Sequence, residues 1–276
     1  MGTLIEGDSL KRIVLIGNNS GMETLCDFFC AQDNIRVVGL IHSDKEGSSQ
    51  IAQSYASKYG IKRLRHPLRN ERYDYENFLV ELNALKPDLA ICYSYDRILD
   101  KAFLDVMKRK VYNLHGALLP RYRGQNVLNW VLVNGETLTG MTLHLMDEGI
   151  DSGPIVYQKE ISIDFEDTAV TLKNKMNAAA QDLLNRFLPN IIDDNIPVRE
   201  QNENDATYFH KRRPADGEFF WNWSPIRIYN MIRALVYPWP GAYYMENDEK
   251  HVINQFIKYD DVMLMRKKHL ELTKEH

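Results

Sequence analysis

The sequence predicts a doubly wound α/β domain with a mostly parallel sheet, followed by a small C-terminal subdomain. Three observations predict it. Short apolar runs alternate with amphipathic helical patterns through the first two-thirds of the chain, polar residues follow directly on two of those runs, and the texture turns polar and then aromatic after Asp193. Such alternation is the rhythm of parallel strands joined by crossover helices, a Rossmann-like arrangement. In order, RIVLIG reads as a strand, METLCDFF as a helix, RVVGLIH as a strand and residues 50–59 as an amphipathic helix. A second cycle gives a helix over 75–85 that ends before Pro87, then DLAICYS and VYNLH as buried strands. Residues 141–145 and 155–163 read as two further strands around the loop MDEGIDSGP, and 168–192 as a long helix with Thr168 near its start. The polar stretch NIPVREQNENDATY separates this domain, residues 1–197, from a subdomain over 198–276 that holds Trp221, Trp223 and Trp239. There Ser224 and Pro225 suit a helix start, with Ile228, Met231, Ile232 and Leu235 as its apolar face. The trailing HVINQFIKYDDVMLMRKKH reads as a few strands.

Composition narrows the function. With 276 residues, 44% hydrophobic and 26% charged, the chain has an ordinary globular make-up. A net charge of −4 exerts no overall pull on a polyanion, so nucleic acid is not an expected partner. Cys26, Cys30 and Cys92 are odd in number and lack zinc-ligand spacing, which reads as reduced thiols in a cytosolic protein. The opening MGTLIEGDSLKR lacks the apolar run of a signal peptide, and no later stretch has the roughly 18 consecutive apolar residues of a membrane span. A soluble cytoplasmic protein with no membrane partner is expected.

An open α/β sheet binds ligands beyond the carboxyl ends of its strands, which directs attention to residues 93–97 and 113–116. The turn IGNNSG after the first strand is Gly17-x-x-x-Gly21, without the G-x-G-x-x-G spacing of a dinucleotide site, so it reads as a tight strand-to-helix turn. The informative stretch is NLHGALLPRYRG. Asn113 and His115 alternate along a strand end and so share one side of the sheet, and Gly116 admits a ligand to the backbone. A loop with Arg121 and Arg123 follows, and an acidic, glycine-containing loop comes later. An isolated histidine there would read as structural; this combination reads as a site.

The runs NLHGALLPRYRGQNVLNWVLVNGE and TGMTLHLMDEGIDSGPIV resemble the formyltransferases that use 10-formyltetrahydrofolate, which act on glycinamide ribonucleotide, methionyl-tRNA or nucleotide sugars. The resemblance implies that Asn113, His115 and Asp151 are the catalytic set. An amine attacking a formyl carbon creates an oxyanion, which an amide donor such as Asn113 and an imidazolium such as His115 would stabilise, while Asp151 would orient the ring. It also implies a folate pocket formed by Tyr93, Ser94, Tyr95, Arg97 and Ile98 with Leu145, Asp147 and Gly149. Acceptor contacts would come from Arg121, Tyr122, Arg123, Gly124 and Trp221, since arginine forks suit phosphate.

The C-terminal RAL-x-x-PWPGAY run is similar to that of the sugar-directed branch. The resemblance therefore implies transfer to a nucleotide-linked amino sugar, expected to be a dTDP-linked 4-amino-4,6-dideoxy sugar, for O-antigen or other lipopolysaccharide synthesis. The lipid A-modifying members share the run and use a uridine-linked 4-aminopentose, so it speaks more to the 4-amino position than to the base. No metal is expected, and the aromatic C-terminus suggests a homodimer contact or a core. Methionyl-tRNA formyltransferase is the main alternative, with formyl-folate hydrolysis behind it; a noncatalytic or NAD-dependent nucleotide-binding protein would require Asn113, His115 and Asp151 to be coincidence.

Overall fold

The computed structural model describes residues 10–68 and 70–272; the stretch before Leu10, on which the signal-peptide expectation rests, lies outside the described residues. In chain order the elements are β1 (Lys11–Gly17), α1 (Asn19–Phe29), β2 (Ile35–His42), α2 (Ser48–Tyr59), β3 (Lys62–Arg65), α3 (Arg72–Ala84), β4 (Leu89–Tyr93), α4 (Lys101–Val106) and β5 (Val111–His115). There follow β6 (Arg123–Gly124), α5 (Val127–Val133), β7 (Leu138–Leu145), β8 (Ile155–Ser162), α6 (Ala169–Ile192), β9 (Tyr208–Phe209), α7 (Pro225–Ala234), β10 (Ala242–Glu246), β11 (Glu249–Ile253) and α8 (Tyr259–Leu272).

The chain divides into two compact units and crosses between them repeatedly. One takes in the described chain up to His115 with Thr142–Gln158 and Ala180–Gln201; the other takes in Gly116–Met141, Lys159–Ala179 and the chain from Asn202. The last crossing falls after Gln201, and the earlier ones arise because β7, β8 and α6 each run through both units.

The seven-stranded sheet has the order β3-β2-β1-β4-β5-β7-β8. Strands β1 to β5 pair in parallel and β7 runs antiparallel to β5. Order reverses between β1 and β4, where α/β sheets open a crevice. Gly17 and Gly21 let α1 approach there: a Cβ on either would stand 2.8 Å and 2.5 Å from the Tyr93 carbonyl oxygen. The turn after β1 is thus filled by β4, consistent with a packing role for its glycines. Asn18 pins it further, donating to Asp96 at 2.7 Å and accepting from the Ser43 backbone at 3.1 Å. Val14, Ile16, Ile41, Ala90, Cys92 and Phe103 build the core on one side of these strands. The edge strand β3, KRLR, has one buried residue, Leu64; its basic residues discourage further pairing and also hid it from the hydropathy pattern.

In the second unit α5 packs on α7, where Asn129 donates to the Ala234 carbonyl at 2.7 Å, and α7 packs on α8. Strands β10 and β11 form an antiparallel hairpin, and β6 pairs with β9. The expectation of several strands in the trailing segment is corrected: only HVI belongs to a strand, β11, and YDDVMLMRKKHLEL is α8. Its first turn carries Asp260 and Asp261, which favour a helix N-terminus, and its buried Val262 faces the unit's interior. All three cysteines are free thiols. Among the described residues no helix is long and apolar enough to cross a membrane.

Candidate active site

The site is assembled in the first unit by one strand pair and one loop. Period-two geometry puts Asn113 and His115 on the same face of β5. Antiparallel pairing with β7 sets His144 directly opposite Asn113. Directly opposed residues bring their side chains within reach, and Asn113 Nδ2 lies 3.1 Å from His144 Nε2. His144 is 1% exposed, and its Nδ1 lies 3.0 Å from the Leu145 carbonyl oxygen. A carbonyl only accepts, so in the neutral ring the proton sits on Nδ1 and Nε2 accepts from the Asn113 amide. The amide is thereby oriented, with its second N–H left for other partners.

Asp151 comes from the loop between β7 and β8. Its carboxylate lies between the two imidazoles, 3.5 Å from His115 Nδ1 and 3.6 Å from His144 Nε2. Both separations are longer than a good hydrogen bond. His115 is 6% exposed, so the field of the neighbouring carboxylate is poorly screened there and matters more than it would at the surface. The buried Cys92 thiol reports the same field: burial first, and then the Asp151 charge, push its pKa up.

The loop is held at several points. Asp151 has φ 51°, a left-handed conformation that needs support. Gln201 supplies it, donating to the carbonyl oxygens of Asp151 at 2.8 Å and Gly153 at 2.7 Å. At Gly153 a Cβ would fall 1.9 Å from the Leu145 carbonyl oxygen, so no larger residue fits the close pass. Asp147 accepts from the Gly149 N–H at 3.0 Å and the Ser152 hydroxyl at 2.9 Å, tying the loop from within. Asp147 and Gly149 therefore shape the segment assigned to the folate pocket, and Leu145 closes its base through its N–H to Pro154 at 2.8 Å.

On the neighbouring strand Tyr93 is buried at the end of β4, opposite Leu114, and burial pushes its hydroxyl up to about 12. Ser94 turns the chain outward with φ 52°. Tyr95 lies 2.7 Å from His66 Nδ1 through its hydroxyl, Arg97 donates to Asp44 at 2.6 Å, and Ile98 is exposed. The segment thus leaves the β4 end beside β5 with Ser94 and Ile98 open to solvent.

The residues expected to hold an acceptor lie in the second unit. Arg121 donates to Glu136 at 2.8 Å and the Tyr122 hydroxyl donates to the same carboxylate at 2.7 Å. Arg123 is 0% exposed, its fork closed on Glu203 at 2.6 and 2.9 Å. Gly124, at φ 104°, lets β6 pass Phe209, whose carbonyl oxygen would lie 2.1 Å from a Cβ. Trp221 stacks on His269 at 4.3 Å. The structure brings Asn113, His115 and Asp151 together, and engages both loop arginines in ion pairs.

His144 and Gln201 were not read from the sequence. His144 sits at an alternating position of the TGMTLHL strand, but only the antiparallel register reveals that it faces Asn113. Gln201 lies in the polar linker and carries no local signal.

Residues 11–188 match the family model described as formyl transferase, and residues 211–261 match that of the formyl transferase C-terminal domain. The chain is 40% identical over 214 residues to the bifunctional polymyxin resistance protein ArnA of Wigglesworthia glossinidia brevipalpis. That match covers 78% of this chain and 33% of ArnA, so the chain spans about a third of this curated relative's length. A 4-N formyltransferase from Francisella tularensis has a similar structure, with TM-score 0.74 and 16% identity over 91% of this chain and 98% of that one. An N-formyltransferase from Helicobacter canadensis, in complex with folinic acid and dTDP-3-aminofucose, gives TM-score 0.63 and 23% identity over 87% and 85% of the two chains. At these identities the structural likeness establishes a shared fold.

Proposed function

The chain belongs to the formyl transferase family, and from that premise we propose that it transfers the formyl group of 10-formyltetrahydrofolate to the amine of a nucleotide-linked amino sugar. The observation that carries the reading is the cluster of Asn113, His115, His144 and Asp151, where one oriented amide and two imidazoles surround a single carboxylate. Asn113 and His115 donate to the negative charge that develops on the formyl oxygen, each donor contributing on the order of 3 kcal/mol to the barrier reduction. Asp151, 3.5 Å from its Nδ1, holds His115 in place. As the new C–N bond forms the attacking amine loses a proton, which Asp151, reaching both rings, is placed to receive and to return to the folate N10 as the bond from N10 to the formyl carbon breaks and tetrahydrofolate leaves. His144 keeps Asn113 turned toward the reacting oxygen.

Tyr93, Ser94, Tyr95, Arg97 and Ile98, with Leu145, Asp147 and Gly149, form the folate side of this proposal. The folinic acid complex of the Helicobacter canadensis relative supports a folate cosubstrate. A 4-amino-4,6-dideoxy sugar carried by dTDP is the acceptor we favour, supported by the 4-N activity named for the Francisella tularensis relative and the dTDP-sugar bound by the other. Synthesis of a surface polysaccharide in the cytoplasm is the setting this acceptor implies. Incubation of the purified protein with 10-formyltetrahydrofolate and a panel of thymidine-, uridine- and guanosine-linked amino sugars, with products identified by mass, tests it. Formylation of at least one sugar is expected; formylation only of charged initiator tRNA overturns the acceptor class.

A further inference from the structure

Between β7 and β8 the chain leaves the sheet and at the same time presents the Asp151 carboxylate to His115 and His144. The direction of that carboxylate follows from the backbone beneath it, which stands at φ 51°. A side chain with a Cβ is strained in this left-handed conformation, so the conformation persists only where neighbouring groups over-determine it. From inside the loop, the Asp147 carboxylate gathers Gly149 and Ser152, the residues on either side.

From outside, the hold comes from residues 199–201. Ile155, the first residue of β8, and Arg199 exchange both backbone hydrogen bonds, at 2.8 and 2.9 Å, as an antiparallel pair does. Arg199 also donates through its guanidinium to Gln158 of the same strand, so the segment is fixed to β8 by main chain and side chain. Two residues on from that pair, the antiparallel register sets Gly153 opposite Gln201. There the Gln201 side chain takes up the loop, with Nε2 donating to the Gly153 carbonyl oxygen at 2.7 Å and to that of Asp151 at 2.8 Å. An amide nitrogen carries two N–H donors, one for each carbonyl. Asparagine would be a methylene too short to serve both.

We propose that Gln201 is a positioning residue for the transfer reaction: its amide, clamped on the carbonyls of Asp151 and Gly153, keeps the Asp151 carboxylate aimed at the two imidazoles. Two such bonds are of the same order as the strain of one left-handed residue, so their loss frees the Asp151 backbone to relax. Relaxation swings the attached carboxylate, and a misplacement of about 1 Å in a reacting group costs on the order of a hundredfold in rate. The effect of Gln201 on rate rests on the function proposed above; its hold on the loop does not.

The test compares three variants of the full chain, each checked for folding by its melting transition. Gln201→Met keeps length and bulk and removes both donors, and Gln201→Lys returns N–H donors on a stem long enough to reach. Tyr157→Phe is the control, removing the 2.6 Å hydrogen bond from β8 to Asn190 elsewhere in the same unit. Two quantities are read: amide hydrogen exchange over residues 146–154 by mass spectrometry, and steady-state kinetics with 10-formyltetrahydrofolate and a nucleotide-linked amino sugar. In Gln201→Met, exchange over the loop is expected to be at least about tenfold faster and kcat at least about tenfold lower, with KM for both substrates within about threefold. Gln201→Lys is expected to recover part of both, and Tyr157→Phe to match the wild type in both. If Gln201→Met does not fold, Gln201→Asn, which serves at most one carbonyl, carries the same expectation at about threefold. Wild-type exchange or wild-type kcat in the folded variant overturns the proposal. So does an equal loss of kcat in Tyr157→Phe, because any loosening of the unit then suffices, and so does a kcat in Gln201→Lys no higher than in Gln201→Met. Should the loop exchange faster in Gln201→Met while the wild type formylates no amine, the hold on the loop stands and the proposed function fails.

Discussion

At the scale of single residues, the site depends on which group orients which. Asn113 and His115 are expected to touch the reacting oxygen, so Asn113→Ala and His115→Ala should each lower turnover by about a hundredfold or more while the melting temperature stays near the wild-type value. Near-normal kcat in either folded variant would remove that residue from the mechanism. His144 acts through Asn113: its Nδ1 bond to Leu145 and its Nε2 contact with the amide fix which way Asn113 points. His144→Ala should therefore lower kcat on the order of tenfold to a hundredfold with little change in KM for the folate, and His144→Gln, whose carbonyl can still accept from the amide, should recover part of it. Equal kcat in the two variants would show that orientation through this bond does not matter. The sequence made Asn113, His115 and Asp151 legible because they stand at strand and loop positions with a distinctive order. It could not make His144 legible, because its role exists only across an antiparallel pairing whose register no local pattern states.

At the scale of elements, the loop from β7 to β8 and the start of α6 are the segments whose local chemistry is most exacting. Gly153 passes so close to the Leu145 carbonyl that Gly153→Ala must move the loop carrying Asp151. Expected consequences are a loss of about 1–3 kcal/mol of stability and a larger fractional loss of kcat than of folate affinity, read by denaturant unfolding and steady-state kinetics. The start of α6 is held by Asp167, which accepts from the Thr171 hydroxyl at 2.7 Å, the Asp164 N–H at 2.7 Å and Lys175 Nζ at 2.5 Å. Burial alone would raise its pKa; the bonds from Lys175, Thr171 and the Asp164 backbone outweigh it and hold the carboxyl below the usual carboxylate range. A depressed carboxyl pKa contributes stability above the unfolded-state value, lost as pH falls through the folded one. Asp167→Asn should then cost about 1–3 kcal/mol at neutral pH, and the gap from the wild type should narrow as pH drops below about 4. A gap that stays constant down to pH 2 would argue against the ionised form as the source. Strong apolar periodicity made β1, β2, β4, β5 and α6 readable. The short α4 and α5 and the basic β3 were not read, and α8 was misread because the preceding HVINQFI run is rich in strand formers.

At the scale of the whole molecule, a net charge of −4 coexists with a concentrated basic feature, the Lys211, Arg212 and Arg213 run of the second unit. The crossings between the two units within β7, β8 and α6 leave no compositional trace, since one continuous strand or helix serves both units. Charge distribution then separates small acceptors from large ones. A nucleic-acid acceptor binds by displacing counterions from many phosphates, and its affinity falls by about a thousandfold or more between 50 and 200 mM salt when six to ten phosphates are contacted. A nucleotide-linked sugar offers only two phosphates, so screening can weaken only a few charge contacts. KM for the sugar is accordingly expected to rise by less than about tenfold over that salt range, with kcat unchanged, and charged initiator tRNA should not be formylated at either salt concentration. The measurement is a pair of kinetic titrations in sodium chloride with the two acceptors side by side. A steep rise in KM for the sugar would point to a far more extended electrostatic surface than two phosphates engage, and tRNA formylation at low salt would show that such a surface recognises nucleic acid.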